Sequence, residues 1–178
     1  YARYLHSSGE GWGQGSPYFD GEILLALAKA VCYADKQQWS EQCFRSADTM
    51  YQRYVKDALA NKIDSPSTKG FFQWGCMAFV ELQEIDRARA RPFATRAIEL
   101  GHWMVDTHKL QQRRLNTAYA LEGIASAYHL ARQTDDDASA ERFCSIVVQE
   151  LLRLTSWQVG GPQPNDYLKS IAEYDISC

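Results

Sequence analysis

The spacing of the apolar residues constrains this chain most, because they recur every three or four positions in six successive segments. This spacing is typical of amphipathic helices that bury one face, and no segment shows the alternation of a β-strand. The sequence therefore predicts an all-α fold of three consecutive αα-hairpins in two layers, either a partial α/α toroid or a curved helical array, plus a short C-terminal helix. The six helices are marked by Ile23, Leu27 and Val31, by Cys43, Ala47 and Tyr51, by Phe72, Cys76 and Phe79, by Phe93, Ala97 and Met104, by Leu121, Ala125 and Tyr128, and by Phe143, Val147 and Leu151.

Local signals predict where these helices begin. Ser16-Pro17 is expected to start the first helix, because serine caps free N–H groups and proline is tolerated at the first position. Ser40 is expected to cap the second helix, and residues 61–67 form a predicted turn. Pro92 is expected to open the fourth helix after a charged link, and the three aspartates at 135–137 suit the positive end of the sixth.

Composition divides the 178 residues into three parts within what is expected to be one globular domain. Residues 1–15 are predicted to be a flexible Gly-rich segment, residues 16–157 the helical-hairpin domain, and residues 158–178 a loop with a short tail helix. The Gly-rich segment follows no strand and has neither of the common phosphate-loop spacings. We therefore expect no nucleotide or other cofactor.

Charge and apolar run length exclude two classes of partner. The net charge of −3 provides no basic surface for nucleic acid, and no apolar run approaches the ~18 residues of a membrane span. Five widely spaced cysteines indicate neither a metal motif nor a disulfide framework. The chain starts at Tyr1 without a leader, so we expect a matured product or the excerpt of a larger protein, and an exported or periplasmic location is favoured.

The odd-numbered helices are richer in glycine, alanine and aromatic residues than the even-numbered ones, which predicts an inner and an outer layer. Because each hairpin reverses the chain direction, the inner helices should begin at one shared rim. Asp20 and Glu22 are the candidate catalytic residues there, since paired carboxylates ~5–10 Å apart can cleave a glycosidic bond. Rings and forked polar groups suit sugar binding, and the candidate substrate-binding residues are Trp12, Tyr18, Gln73, Trp74, Arg114, Asn116 and Tyr119.

Two less specific interpretations of these residues stay open. Acidic residues in a first helical turn are favoured by the helix dipole alone, and aromatic residues at helical spacing commonly belong to a core. Glu99, His102 and Asp106 share a helix face as metal ligands do, but no second such group accompanies them. We therefore predict no metal site and prefer a His102–Asp106 pair on a polar outer face.

Residues 18–27 (YFDGEILLAL) and 116–121 (NTAYAL) resemble the inner helices of the six-hairpin glycosidase-like superfamily of α/α toroids. That group includes glycoside hydrolases, unsaturated-uronate hydrolases, polysaccharide lyases and sugar epimerases. The resemblance implies a saccharide-binding rim at the beginnings of the inner helices. It also implies that three hairpins make up half a toroid, and no catalytic residue of a single family is carried over.

Two functional hypotheses follow. The first is a carbohydrate-active or carbohydrate-binding domain, similar to hydrolases, lyases or epimerases, whose partner is a bacterial-type polysaccharide or another saccharide; whether it is an enzyme is left open. The alternative is a noncatalytic helical scaffold for protein–protein or self-association, because an incomplete toroid leaves an apolar flank uncovered. Its partner would be a second copy, as a homo-oligomer, or the remainder of a larger chain.

Overall fold

A computed structural model describes residues 3–4, 11–12, 15–113 and 117–157. Six long helices make up most of this part of the chain: α1 (Pro17–Tyr33), α2 (Ser40–Tyr51), α3 (Pro66–Ile85), α4 (Arg87–Asp106), α5 (Thr117–Gln133) and α6 (Asp137–Thr155). The α2 helix continues without interruption into the π-helical turn Gln52–Asp57 and the short helix Ala58–Asn61, so residues 40–61 are treated as α2. Short 3-10 turns occupy Gln37–Trp39 and Leu110–Gln112.

The helices form three hairpins in two packed layers, which confirms the predicted all-α class. The α3 helix lies between α1 and α5 in the inner layer, and α2, α4 and α6 pack on the outside of this row. Small residues bring the inner helices close together. A Cβ on Gly21 would lie 2.7 Å from the Cβ of Trp74, and a Cβ on Gly123 would overlap the Phe72 ring.

A continuous apolar core runs between the two layers. Its largest fully buried side chains include Phe71, Phe72, Phe79 and Phe143. Aromatic contacts connect the layers, since the rings of Phe79 and Phe93 lie 5.2 Å apart. Phe72, Phe79 and Phe143 occupy the periodic positions from which the helices were predicted, so burial of one face explains the pattern, and Phe71 is an additional core residue.

Ion pairs join the outer helices of the first and second hairpins. Arg89 of α4 binds both carboxylate oxygens of Glu41 in α2, at 2.8 and 3.0 Å. About two helical turns further along α4, Arg96 binds Asp48 of α2 at 2.8 Å and lies over the ring of Tyr51. The arginine thus comes from the later hairpin and the carboxylate from the earlier one.

The same polarity recurs between the second and third hairpins, where Arg142 of α6 binds Asp106 of α4, with one contact at 3.0 Å. The predicted direct pairing of His102 with Asp106 is wrong, because Arg142 lies between them and its Nη1 is 3.0 Å from His102 Nδ1. His102 Nε2 lies 2.9 Å from the Ser139 hydroxyl, and Glu99 accepts a hydrogen bond from Tyr51. His102 and Asp106 therefore share Arg142, and Glu99 is bound separately by Tyr51.

The predicted helix starts are confirmed at α1 and α6 and wrong elsewhere. Ser16 caps α1, and Asp136 caps α6 by accepting a hydrogen bond from the Ser139 amide. Ser40 does not cap α2, because a 3-10 turn leads directly into the helix. The turn predicted over 61–67 ends early, since Ser65 caps α3 and Pro66 begins it.

Pro92 does not open α4, which starts five residues earlier at Arg87. The side chain of Asp86 accepts a hydrogen bond from the Arg89 amide at 3.1 Å and caps the helix. The segment predicted as a charged link is therefore the first turn and a half of α4. The sequence pattern favoured Pro92 because proline is common at a first helical position. Asp86, six residues earlier, is also a preferred N-cap residue, and it is the one that caps the helix.

The prediction that the chain lacks strands is wrong at one place. Strand β1 (Arg3–Tyr4) pairs antiparallel with β2 (Gly11–Trp12), so residues 1–15 contain a two-residue ladder. A ladder this short has no room for the alternation by which strands are recognised. The predicted loop and tail helix at 158–178 lie outside the described residues.

Candidate functional site

The first turns of the three inner helices surround a pocket of about 340 Å³. Ser-Pro steps at 16–17 and 65–66 begin α1 and α3 in the same way, with a serine cap followed by proline at the first position. The start of α5 and the last turn of α4 complete the wall. The residues that line the pocket are Tyr18, Pro66, Lys69, Gly70, Phe72, Gln73, Met104, Tyr119 and Ala120.

The pocket combines an apolar base with aromatic and polar groups. Phe72 and Met104 are fully buried, whereas Tyr18 and Tyr119 have 36% and 50% of their surface exposed. Lys69 is the charged residue of the lining. Tyr18 on α1 and Tyr119 on α5 therefore each contribute a partly exposed ring. Lys69 on α3, the inner helix between them, contributes an ammonium group.

Gln73 is the buried polar group of the pocket, with only 5% of its surface exposed. Its Nε2 group donates a hydrogen bond to Oε2 of Glu122, which lies on α5. The carboxylate can accept only from the amide nitrogen, so this contact sets which end of the amide faces away from Glu122. The amide oxygen of Gln73 is left to accept a hydrogen bond from elsewhere.

The two candidate catalytic carboxylates are not among the lining residues. Residues two apart on an α-helix point about 200° apart, so Asp20 and Glu22 cannot face one cavity together. Asp20 faces α2, where the hydroxyl of Tyr54 donates a hydrogen bond to its Oδ2. Burial and this hydrogen bond raise the pKa of Tyr54 to about 12. Glu22 is partly buried on α1.

The π-helical turn of α2 accounts for the position of Tyr54. A π-turn shifts the backbone hydrogen bonds by one residue, which changes the direction of the side chains within it. The carbonyl oxygen of Tyr54 accepts a hydrogen bond of 2.8 Å from the hydroxyl of Thr68 in α3. This contact ties the π-turn to the start of α3, close to the pocket.

Trp74 lies behind the pocket. Its ring meets the Tyr18 ring edge to face, with centroids 5.6 Å apart, and its Cβ packs on Gly21. Trp74 therefore supports Tyr18 from below. Of the other predicted binding residues, Gln73 and Tyr119 line the pocket. The backbone of Trp12 belongs to β2, and Arg114 and Asn116 lie outside the described residues.

A second polar cluster connects the two links at this end of the fold and was missed by the sequence analysis. Asp64, in the link before α3, contacts Nδ1 of the buried His108 at 2.6 Å and Nη2 of Arg113 at 3.0 Å. The hydrogen bond from His108 lowers the pKa of Asp64. Trp103 stacks on the His108 ring at a centroid distance of 5.6 Å. No sequence pattern indicates this cluster, because His108 and Arg113 lie 44 and 49 residues after Asp64 in the sequence.

Arg153 of α6 extends this connection to the beginning of α5. Its guanidinium donates hydrogen bonds to the backbone oxygens of Gln111 and Arg113 and to the hydroxyl of Thr117, at 2.7 to 2.9 Å. The link between α4 and α5 is thus held from both sides. Since α5 carries Tyr119 two residues beyond Thr117, these bonds also position one wall of the pocket.

Comparison with known proteins adds no further assignment, since no protein family, curated protein or solved structure matches this chain. Among residues 15–113 and 117–157, no group of three potential ligands is placed to hold a metal ion. Over the same residues, the helices are too short or too polar to cross a lipid bilayer. The fold therefore defines an all-α, two-layer hairpin protein, and its function has to be argued from the pocket.

Proposed function

We propose that the pocket at the start of the inner helices binds a saccharide. The observation that carries this proposal is the pair of partly exposed tyrosines, Tyr18 and Tyr119, in the lining of a pocket that also contains a buried amide. Ligand sites combine apolar walls with a few fixed polar groups. Aromatic rings can pack on the apolar face of a sugar ring, while fixed polar groups read its hydroxyls.

Each polar group has a separate role in this proposal. The amide oxygen of Gln73 accepts a hydrogen bond from a sugar hydroxyl, because the bond from its Nε2 group to Glu122 orients the amide with the oxygen turned away from Glu122. Lys69 donates to a second hydroxyl or to a carboxylate on the sugar. A volume of about 340 Å³ is near the lower limit for ligand sites, so the pocket fits one sugar unit at the end of a chain.

Catalysis is a further step of the same hypothesis. Asp20 and Glu22 stay the candidate carboxylates of a hydrolase-like, lyase-like or epimerase-like reaction, but neither lines the pocket and they point about 200° apart, so one of them would act at a given bond without the other. Turnover would therefore require a saccharide that extends from the pocket along α1. The check is release of reducing sugar by Asp20→Asn and Glu22→Gln variants, of which one should lose the activity that the wild type shows and the other should keep it.

The binding proposal is tested by calorimetric titration with neutral and uronic-acid oligosaccharides. We expect Tyr119→Ala to weaken binding at least about tenfold, because it removes one aromatic wall worth roughly 1.5 kcal/mol. The melting temperature should not change, since half of this side chain is exposed. Trp39→Ala removes an exposed ring at the opposite end of the hairpins and is the matched control. Equal affinity of Tyr119→Ala and the wild type would refute the proposal.

The noncatalytic scaffold remains a second candidate because apolar side chains are exposed at both ends of the hairpin array. They include Ile23 on α1 and Leu152 on α6, with 52% and 65% of their surface exposed. Exposed apolar groups that cluster on one face commonly mark an interaction surface. This observation does not depend on the pocket.

A further inference from the structure

The first hairpin has an uncovered face, which we call the leading flank. On α1 it presents Phe19 and Ile23, whose exposed fractions are 49% and 52% and whose spacing of four residues places them on one side of the helix. Tyr33 is also exposed, but its hydroxyl donates a hydrogen bond to Glu81 of α3, so it is not part of this flank. Beside this stripe a groove of about 430 Å³ is lined by Asp20 and by a face of α2 that includes Arg45 and Arg53. No residue of the second or third hairpin lines this groove.

The third hairpin has a corresponding uncovered face, the trailing flank. On α6 it presents Val148, Leu151 and Leu152, with 52%, 50% and 65% of their surface exposed. A groove of about 550 Å³ runs beside them between α5 and α6, and its lining includes Asp137 and Glu141. Its lining contains no residue of the first two hairpins.

The contacts between neighbouring hairpins inside the array show which groups each kind of flank binds. Three arginines on the outer helices, Arg89, Arg96 and Arg142, reach from a later hairpin to a carboxylate of the hairpin before it. On the outer helices the earlier hairpin therefore supplies the carboxylate and the next hairpin supplies the arginine, whereas the inner-helix pair of Lys29 on α1 with Glu81 on α3 has the opposite polarity. Apolar contacts, such as that between the rings of Phe44 and Phe93, accompany these ion pairs.

The trailing flank of α6 repeats the face by which α2 holds its neighbour. An interval of 50 residues aligns the buried residues Cys43, Phe93 and Phe143 of the three outer helices. Two such intervals, 100 residues, separate α2 from α6. Three exposed residues of α6 therefore occupy positions equivalent to those of α2 residues that contact α4. These are Glu141, Val148 and Leu151, which correspond to Glu41, Asp48 and Tyr51.

The charges of the two flanks are complementary in the same sense as the internal junctions. The groove of the leading flank holds two arginines and one carboxylate, whereas the groove of the trailing flank holds two carboxylates and Arg132. Within the part of the chain that the structure describes, no carboxylate pairs with Arg45 or Arg53. The leading flank thus offers Arg45 and Arg53, and the trailing flank offers chiefly Glu141, because Asp137 already lies 3.8 Å from Arg132.

We propose that the leading flank of one copy of this chain binds the trailing flank of a second copy, so that the hairpin array continues from one molecule to the next. The apolar stripes supply most of the affinity, because their removal from water is the non-directional driving force. The charges set orientation and register. The contact is heterologous, since two different surfaces meet. It involves the flanks and not the pocket, so it is independent of saccharide binding there, although Asp20 lines the leading groove and would be covered by the partner.

The test measures the molar mass of the 178-residue chain by light scattering during size-exclusion chromatography over a range of concentrations. We expect a multiple of 20.3 kDa for the wild type. Ile23→Arg on the leading flank and Leu151→Arg on the trailing flank should each give a monomer. An equimolar mixture of these two variants should give a one-to-one complex, because one intact flank of each kind remains.

Matched controls make the outcome specific. Ile63→Arg changes an apolar residue with 74% of its surface exposed that lies on neither flank, and this variant should associate like the wild type. Circular dichroism checks that each variant is folded, and Phe19→Arg with Val148→Arg provides a second pair. A wild type that stays monomeric, or a flank variant that still associates alone, overturns the proposal. Association that appears only when residues 158–178 are removed also overturns it, since that segment would then cover a flank.

Discussion

His108 illustrates what one buried polar side chain contributes to this fold. Its surface is 5% exposed, yet its ring binds Asp64 and stacks on Trp103. Its backbone carbonyl oxygen accepts a hydrogen bond from Nε of Arg113. The carboxylate accepts, so Nδ1 carries the proton and the tautomer follows from the partner. These contacts hold the link before α3 against the link before α5, which are the two links that border the pocket.

We expect His108→Ala to lower the free energy of unfolding by about 2 kcal/mol, because it removes a charge-assisted hydrogen bond and a stacked ring. At this chain length that corresponds to a melting temperature lower by about 4–8 °C. Thermal unfolding followed by circular dichroism measures the change. His129→Ala, at an exposed position of α5, is the matched control and should unfold like the wild type. Equal melting temperatures for both variants would contradict this role of His108.

The lowered pKa of Asp64 predicts a loss of stability in acid. Since its pKa is lower in the folded than in the unfolded chain, the carboxylate stabilises the fold above its unfolded pKa of about 4, and this contribution disappears as the pH falls through the folded value. Asp64→Asn should therefore be less stable than the wild type at pH 6, with a smaller difference at pH 3. Urea unfolding at both pH values measures this difference in the free energy of unfolding. If the difference were the same at pH 6 and pH 3, the ionised carboxylate of Asp64 would not be what stabilises the fold.

At the scale of the helices, glycine determines how closely the inner layer packs. A Cβ on Gly21 would lie 2.7 Å from the Cβ of Trp74, which is attached directly to the backbone and cannot move aside. A Cβ on Gly70 would lie 3.2 Å from Cγ of Pro17, where a shift of a few tenths of an ångström is enough. The first contact therefore sets the distance between α1 and α3, and through Trp74 it sets the position of Tyr18.

Gly21→Ala should lower the free energy of unfolding by about 1–3 kcal/mol, because overpacking outweighs the better helix propensity of alanine. Gly70→Ala is the matched control and should lower it by a smaller amount. Chemical unfolding of both variants gives the comparison. If Gly21→Ala were as stable as the wild type, the close approach of α1 and α3 would be wrong.

The helices were predictable because burial of one face leaves a regular spacing in the sequence, and the buried Phe72, Phe79 and Phe143 all follow it. The start of α4 was not, since Pro92 and Asp86 both mark helix starts and only packing decides between them. Tyr18, Gln73 and Tyr119 were predicted for the pocket by their place in the inner helices.

Other parts of the site left no signal in the sequence. Lys69 and Met104 line the pocket from different helices, and their meeting depends on how the second hairpin packs against the first. Asp20 was predicted at the rim from its residue type, but its direction depends on the π-turn that brings Tyr54 to it. Contacts between residues more than 30 positions apart decide both cases.

For the whole molecule, the account requires that three inner helices begin around one binding pocket. Shift mapping by NMR on the ¹⁵N-labelled chain, titrated with neutral and uronic-acid oligosaccharides, tests this most directly. The account predicts that the perturbed amides cluster at the first turns of α1, α3 and α5, around Tyr18, Gln73 and Tyr119. Perturbations elsewhere on the described helices, or none with any of these saccharides, would contradict it.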